Sequence, residues 1–238
     1  MNKSVTAIIL AAGNGSRMQS AQKKQFMELN GKPCLYYSLR AFENSSVEEI
    51  LLVLSKEDIS YCKKEIVEKY GFKKVKGYIE GGAERIWSVR NGLKEASGDV
   101  VMIHDGARPC ITTSKIEECR CASEKEDALI LAVPVKDTIK KVDEEGYIQG
   151  TPQRNTLYAA QTPQVFNKEL LRSAYEAMAK EESSAFSTDD AGLIERYTHR
   201  RVRVIEGSYY NLKLTTPEDL KIAEDFLKNL VDNSAKGW

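Results

Sequence analysis

Residues Val5 to Met18 read VTAIILAAGNGSRM: a near-continuous apolar run, Val5–Leu10, that breaks into small residues and closes on Arg17 and Met18. An apolar run of this length, bounded by turn residues, is what a strand buried on both faces requires. Small residues directly after it let backbone N–H groups approach an anion closely, and the start of a following helix favours negative charge. In an open parallel sheet, ligands sit beyond the carboxyl ends of the strands. Arg17, Lys23 and Lys24 bring positive charge to that place. Two other phosphate-binding patterns fit poorly. A dinucleotide fingerprint needs a third small residue where Met18 stands and an acid closing the second strand. A Walker loop needs Ser or Thr after Gly-Lys, but Gly31-Lys32 is followed by Pro33. From the glycines alone, a tight turn with solvated basic residues explains the stretch as well as a phosphate loop does.

Similar apolar runs recur at Glu49–Leu54, Val75–Ile79, Val100–Ile103 and Ala128–Val133. Between them lie segments of helical spacing: Leu35, Leu39 and Phe42, then Ile59–Tyr70, Arg85–Ala96 and Ser114–Ser123. This alternation predicts an α/β fold, a Rossmann-like and mostly parallel sheet with helices on both faces and right-handed crossovers. It breaks between Lys136 and Tyr158, where two polar strands flank Glu144-Glu145-Gly146. That is a hairpin signal. Its few apolar residues cannot make a core, so residues 136–158 are expected to project as a β-hairpin arm that needs a partner to cover it. Beyond it the sequence predicts a helix from about Asn167 to Lys180, another beginning near Thr188-Asp189, and a strand at Val202–Glu206. A last helix runs from Pro217 to about Val231, with Thr216 and Pro217 as its start signal, and 232–238 read as a frayed tail. Residues 1–238 thus read as a single domain carrying one arm.

Lys plus Arg and Asp plus Glu both total 35, so the chain is neutral overall. Nucleic-acid binders usually carry a basic excess, which argues against that partner. The five cysteines (34, 62, 110, 119 and 121) have no framework or zinc spacing and read as reduced thiols of a cytoplasmic protein. No apolar run approaches the ~20 residues of a membrane span.

Further stretches follow the Gly-rich loop in a fixed order: Lys24-Gln25-Phe26, Gly81-Gly82-Ala83-Glu84-Arg85 with Ser88, and His104-Asp105-Gly106-Ala107-Arg108-Pro109. Then come Val133–Thr138, Gln161-Thr162-Pro163-Gln164, Thr188-Asp189-Asp190-Ala191 and Gly207–Thr215. The loop with Lys24-Gln25-Phe26 resembles the signature of sugar-phosphate nucleotidyltransferases. Taken together, the stretches resemble the 2-C-methyl-D-erythritol 4-phosphate cytidylyltransferase family over nearly the whole chain. Ala83 stands where that family often carries Asp, and Tyr158 where it commonly carries Trp.

The resemblance implies an enzyme of the non-mevalonate isoprenoid pathway that joins CTP to a sugar-alcohol phosphate and releases pyrophosphate. Its nucleophile is the acceptor phosphate, so no Ser-His-Asp or Cys-His arrangement is required. It implies that Arg17, Lys24, Arg154 and Lys213 are the catalytic residues. Arg17 and Lys24 neutralise charge around the triphosphate, and Lys213 orients the acceptor phosphate. The backbone of Ala11, Ala12, Gly13, Gly15 and Ser16 binds phosphate and ribose, and Gly82 and Ser88 recognise cytosine. Asp105, Arg108, Thr138 and Thr162 bind the acceptor. Thr138 and Arg154 do so from the arm of a neighbouring subunit in a homodimer. Asp105 also assists Mg²⁺, which CTP's own phosphates hold for the most part. Read as residues alone, an acid after a strand is ordinarily a helix N-cap, but His104 and Arg108 on either side of Asp105 favour a functional role, and Lys213 reads as part of a solvated strand face at Asn211–Leu214. Asp189-Asp190 reads as a helix N-cap with a first-turn acid, His104 as structural and His199 as a surface residue. Two other readings stand beside this one: a ribitol 5-phosphate cytidylyltransferase, and a non-catalytic nucleotide-binding regulator that kept the fold.

Overall fold

A computed structural model describes residues 2–13, 23–181 and 188–235 of the chain. The first half runs β1 (Val5–Ala11), β2 (Glu28–Leu29), β3 (Lys32–Pro33), α1 (Cys34–Glu43) and β4 (Glu49–Leu54). Next come α2 (Ile59–Tyr61, continued by a π-helical stretch, Cys62–Glu68), β5 (Val75–Glu80), α3 (Arg85–Glu95), β6 (Val100–Asp105) and α4 (Thr113–Ser123). The second half runs β7 (Ala128–Pro134), β8 (Lys141–Val142), β9 (Ile148–Gly150), β10 (Tyr158–Asn167) and α5 (Lys168–Met178). It closes with α6 (Asp190–Tyr197), β11 (Arg203–Glu206) and α7 (Pro217–Ala235).

Seven strands form one sheet in the order β11-β7-β10-β6-β1-β4-β5. All neighbours are parallel except β10, which runs antiparallel to both β6 and β7. The two-faced burial expected of the apolar runs is realised within β1. Ile9 packs with Leu39 and Phe42 of α1 on one face, and the adjacent Ile8 packs with Val89 of α3 and Leu171 of α5 on the other. Because successive side chains in a strand point to opposite faces, a sheet covered on both sides needs apolar residues at every position. Among the described residues no helix is long and apolar enough to cross a membrane.

The structure departs from the sequence reading in three places. β10 is a central strand where none was expected. Its register jumps from Ala160↔Ala132 to Gln164↔Ile130, and Gln161, Thr162 and Pro163 fall in that bulge. Proline inside a sheet is confined to such sites, and the polar residues around it hide the strand from a periodicity count. Second, Asn211–Leu214 belongs to no strand. Leu214 is buried against Leu29, Cys34 and Leu227 while Lys213 faces the other way, which imitates strand alternation. Third, α7 continues to Ala235 and absorbs part of the expected tail.

The arm is present as a hairpin, with β8 and β9 pairing in a sheet of their own and Gly146 at φ 90° in the turn. Asp143 fixes the turn by accepting from Tyr147 N–H at 2.8 Å. Ile139, Val142, Tyr147 and Ile148 are all exposed, Tyr147 at 69%.

Candidate active site

The ends of β1 and β6 lie side by side, with Leu10 opposite Asp105, and Gly106 N–H donates to Leu10 C=O at 2.8 Å. Beyond them opens a cavity of about 530 Å³ lined by Ala11, Ala12, Gly13, Lys24, Gly82 and Ser88, among others. This is the place an open α/β sheet offers a ligand. Gln25, itself buried, holds the start of the small-residue loop by donating from Nε2 to Ala11 C=O at 2.7 Å and Gly13 C=O at 3.2 Å. The far wall is packed tightly. A Cβ on Gly81 would stand 2.5 Å from Ala12 Cβ, and one on Gly82 would collide with Trp87. The Ser88 hydroxyl accepts from Gly82 N–H at 3.0 Å and donates to Glu84 C=O at 3.2 Å, which fixes the loop that Gly82 belongs to.

A second cavity, about 240 Å³, adjoins the first and is lined by Arg108, Thr162 and Gln164 among others. Three residues line both cavities: Arg85, Asp105 and Lys213. Asp105 lies at the centre of the charge. Lys213 Nζ stands 2.9 Å from its Oδ2, Arg108 Nε 3.6 Å from the same oxygen, and Arg85 Nε 3.5 Å from Oδ1. Burial alone would raise this carboxyl, but the Arg85, Lys213 and Arg108 cations outweigh it and hold Asp105 well below the usual carboxylate range. It is therefore ionised throughout the neutral range, and the three cations leave the junction with an excess of positive charge.

Backbone ties set the cations in place. Leu214 N–H donates to Ala107 C=O at 2.9 Å, and Asn211 Nδ2 donates to Thr162 C=O at 2.8 Å, anchoring the chain on either side of Lys213. Arg108 Nη1 donates to Asn211 C=O at 2.8 Å. Thr162 Oγ1 accepts the Asp105 backbone N–H at 3.1 Å and lies 3.0 Å from His104 Nδ1. His104 is structural, as its sequence context implies. It is fully buried, and burial is the main cause that brings its pKa down to about 4, so it is neutral at pH 7. A histidine held neutral in the fold but free to protonate when unfolded stabilises fully above about pH 6.5, and that contribution is lost as pH falls toward 4. We expect unfolding free energy to decline across this window by up to about 1.4 kcal/mol per pH unit from this group. Urea denaturation at a series of pH values should show His104→Gln with a shallower slope there. An unchanged slope would contradict the assignment.

Of the residues singled out from sequence, Ala11, Ala12, Gly13, Lys24, Gly82, Ser88, Asp105 and Lys213 converge on the first cavity. Asp105, Arg108, Thr162 and Lys213 converge on the second. Gly15, Ser16 and Arg17 lie outside the described residues. Thr138 and Arg154 line neither cavity. Both are exposed in the arm, where Arg154 Nη1 donates to Lys136 C=O at 3.1 Å. Lys23 does not serve the cavity as mobile charge, because its ammonium pairs with Asp58 at 2.6 Å and Glu57 at 2.9 Å. Asp189 caps α6 as expected, accepting Gly192 N–H at 3.0 Å. Asp190 is more than a first-turn acid, since it is buried and bonds Arg85. Sequence reasoning passed over Arg85, Gln25 and Asn211. All three stand inside stretches quoted above, and that is the signal that could have found them.

Three cations gathered around one carboxylate where two cavities meet suit a reaction between two anions, as α/β enzymes that handle phosphate esters require. Residues 5–229 match the family described as 2-C-methyl-D-erythritol 4-phosphate cytidylyltransferase, and the chain belongs to that family. Proteins of that name from Lachnoclostridium phytofermentans and Lachnospira eligens are each 48% identical to it. The first alignment covers 96% of this chain and 98% of the relative, the second 94% and 99%. Among solved structures, the 4-diphosphocytidyl-2C-methyl-D-erythritol synthase of Anaerococcus prevotii superposes with a TM-score of 0.83 at 34% identity, covering 96% of this chain and 100% of that one. The 2-C-methyl-D-erythritol 4-phosphate cytidylyltransferase of Thermus thermophilus gives a TM-score of 0.73 at 28% identity, covering 93% and 98%.

Proposed function

We propose that this protein transfers the cytidylyl group of CTP to 2-C-methyl-D-erythritol 4-phosphate, releasing pyrophosphate and forming 4-diphosphocytidyl-2-C-methyl-D-erythritol for isoprenoid precursor synthesis. The observation that carries this reading is the junction of Arg85, Asp105 and Lys213 between a nucleotide-sized cavity and a smaller one, within a chain of this family. CTP occupies the larger cavity, its phosphates against the small-residue loop, Arg17 and Lys24, and its base against Gly82 and Ser88. The acceptor phosphate enters the smaller cavity beside Lys213 and Arg108. One of its oxygens attacks the α-phosphorus in line, and the bond to the pyrophosphate oxygen breaks. Both reactants are anions, so the barrier is mainly repulsion and charge build-up, which fixed cations and positioning answer.

Mg²⁺ fits this site as an ion brought largely by the triphosphate. Among the described residues no cluster of three or more His, Cys, Asp or Glu side chains could hold a metal alone. Asp105 offers one carboxylate, its Oδ1 no nearer than 3.5 Å to Arg85 Nε, and Mg²⁺ in phosphoryl-transfer sites commonly takes one or two carboxylates plus phosphates. When bound, the ion would neutralise phosphate charge. The working unit we propose is a cytoplasmic homodimer in which each arm, residues 136–158, covers its partner and brings Thr138 and Arg154 to the partner's acceptor cavity. The uncovered Val142, Tyr147 and Ile148 support that reading. The transfer itself is tested by pyrophosphate release: CTP with methylerythritol phosphate should give one pyrophosphate per acceptor consumed, and none without acceptor.

A further inference from the structure

Behind the junction, charged and polar groups continue inward in series. Arg85 turns its Nε toward Asp105 at 3.5 Å and commits Nη1 to Asp190 Oδ2 at 2.7 Å. The other Asp190 oxygen accepts from the Tyr175 hydroxyl at 2.7 Å. Asp190 is 1% exposed and Tyr175 2%. The start of α6 is clamped in turn to the bulge of β10. Gln164 Oε1 accepts both Asp190 N–H at 3.1 Å and Ala191 N–H at 3.2 Å, and Gln164 Nε2 donates to Asp189 at 2.8 Å. Two residues earlier on the same strand, Thr162 receives the Asp105 backbone N–H. Asp105 is thus fixed from two sides by one supporting layer, its backbone through Thr162 and its carboxylate through Arg85.

An arginine fork is planar, so fixing one edge fixes where the remaining N–H groups point. Released from Asp190, Arg85 is free to draw both oxygens of Asp105 to itself, away from Lys213. Burial of the Tyr175 phenol, reinforced by the Asp190 charge, raises its pKa well above the ordinary value and keeps it a hydrogen-bond donor. We propose that Arg85, locked by Asp190 and Tyr175, is a positioning residue that sets the Asp105 carboxylate against Lys213 where the two cavities meet. This rests on the reading of the junction as the place of cytidylyl transfer.

The test is a double-mutant cycle on the full chain with CTP and methylerythritol phosphate. Asp190→Asn should lower kcat at least tenfold with KM for CTP within about threefold, because the ligand-binding walls remain. The same change in an Arg85→Ala background should lower kcat no further, since Asp190 acts only through Arg85. A purely structural Asp190 would instead cost the same in both backgrounds, which overturns the proposal. Tyr175→Phe removes a single hydrogen bond from the series and should lower kcat severalfold. It serves as the informative variant if Asp190→Asn folds poorly, and an unchanged kcat in a folded Tyr175→Phe protein counts against the proposal. A crystal structure of Asp190→Asn, or of Tyr175→Phe in its place, answers without turnover. The 2.9 Å Lys213–Asp105 contact should lengthen, and an unmoved pair overturns the positioning role. Absence of transfer by the unaltered enzyme would defeat the functional reading, while the crystal structure still decides what Arg85 holds.

Discussion

Lys213→Ala is expected to lower kcat by roughly 10²–10³-fold, the scale for one preorganised electrostatic donor, with a smaller effect on KM for CTP. Lys213 makes the shortest of the three cation contacts to Asp105 and lines both cavities. Its ammonium therefore sits where the acceptor phosphate and the α-phosphate must approach each other. Removing it leaves Asp105 with two guanidinium groups at 3.5 and 3.6 Å and subtracts a positive charge where negative charge accumulates. Loss in kcat and kcat/KM together marks an interaction made in the transition state. A rise in KM with kcat intact would make Lys213 a ground-state binder only. Lys213→Arg should rescue poorly, because a planar fork does not reproduce a compact point charge held 2.9 Å from Asp105. Lys24→Ala is expected to follow the same pattern from the nucleotide side.

The second large effect is expected from subunit mixing. Arg154→Ala and Lys213→Ala homodimers should each be nearly inactive, yet exchanging subunits between them should restore activity. In a mixed dimer one site joins an intact Lys213 to an intact partner arm, and the other site carries both changes. Each mixed dimer should therefore run at about half the wild-type rate, as two-fold symmetry demands when every site draws on both subunits. The physical motive is the arm itself. A two-stranded hairpin is marginal in water, and this one leaves Val142, Tyr147 and Ile148 uncovered. Arg154 and Thr138 have no place at this chain's own cavities. The assay is specific activity after mixing, with exchange verified by native mass spectrometry. Proven exchange without recovery, or an active monomer at assay concentration, would overturn the shared site.

Much of the sheet was legible because burial on both faces leaves so plain a mark. Glu49–Leu54 appears in the structure with the bounds read from sequence, and β1 and β7 extend theirs by a single residue. β10 escaped because the residues it turns to the smaller cavity, Gln161, Thr162 and Gln164, are polar and surround a proline. Lys213 lines both cavities but does not lie in the strand expected for it. The alternation of Asn211–Leu214 comes from one side packing on the cluster of Leu29 and Leu227, with no neighbouring strand. Lys23 and Lys24 are indistinguishable in sequence, and what separates them is Glu57 and Asp58, over 30 positions away. The Arg85–Asp190 pair spans 105 positions, and no local spacing rule reaches that far. The residues that touch the cavities were largely readable, whereas the supporting layer that orients them was not.

The most direct measurement is initial-rate pyrophosphate release with ATP, CTP, GTP and UTP, each crossed with 2-C-methyl-D-erythritol 4-phosphate, ribitol 5-phosphate and the unphosphorylated polyols. Product phosphorus should be assigned by NMR. CTP with methylerythritol phosphate should give by far the highest kcat/KM, and the unphosphorylated acceptors should give none because they lack the attacking oxygen. The product should show two coupled phosphorus signals of a diphosphate diester, in equal amount to free pyrophosphate. A clear preference for another nucleotide or for ribitol phosphate, or formation of CMP without a coupled diester, would contradict the assignment.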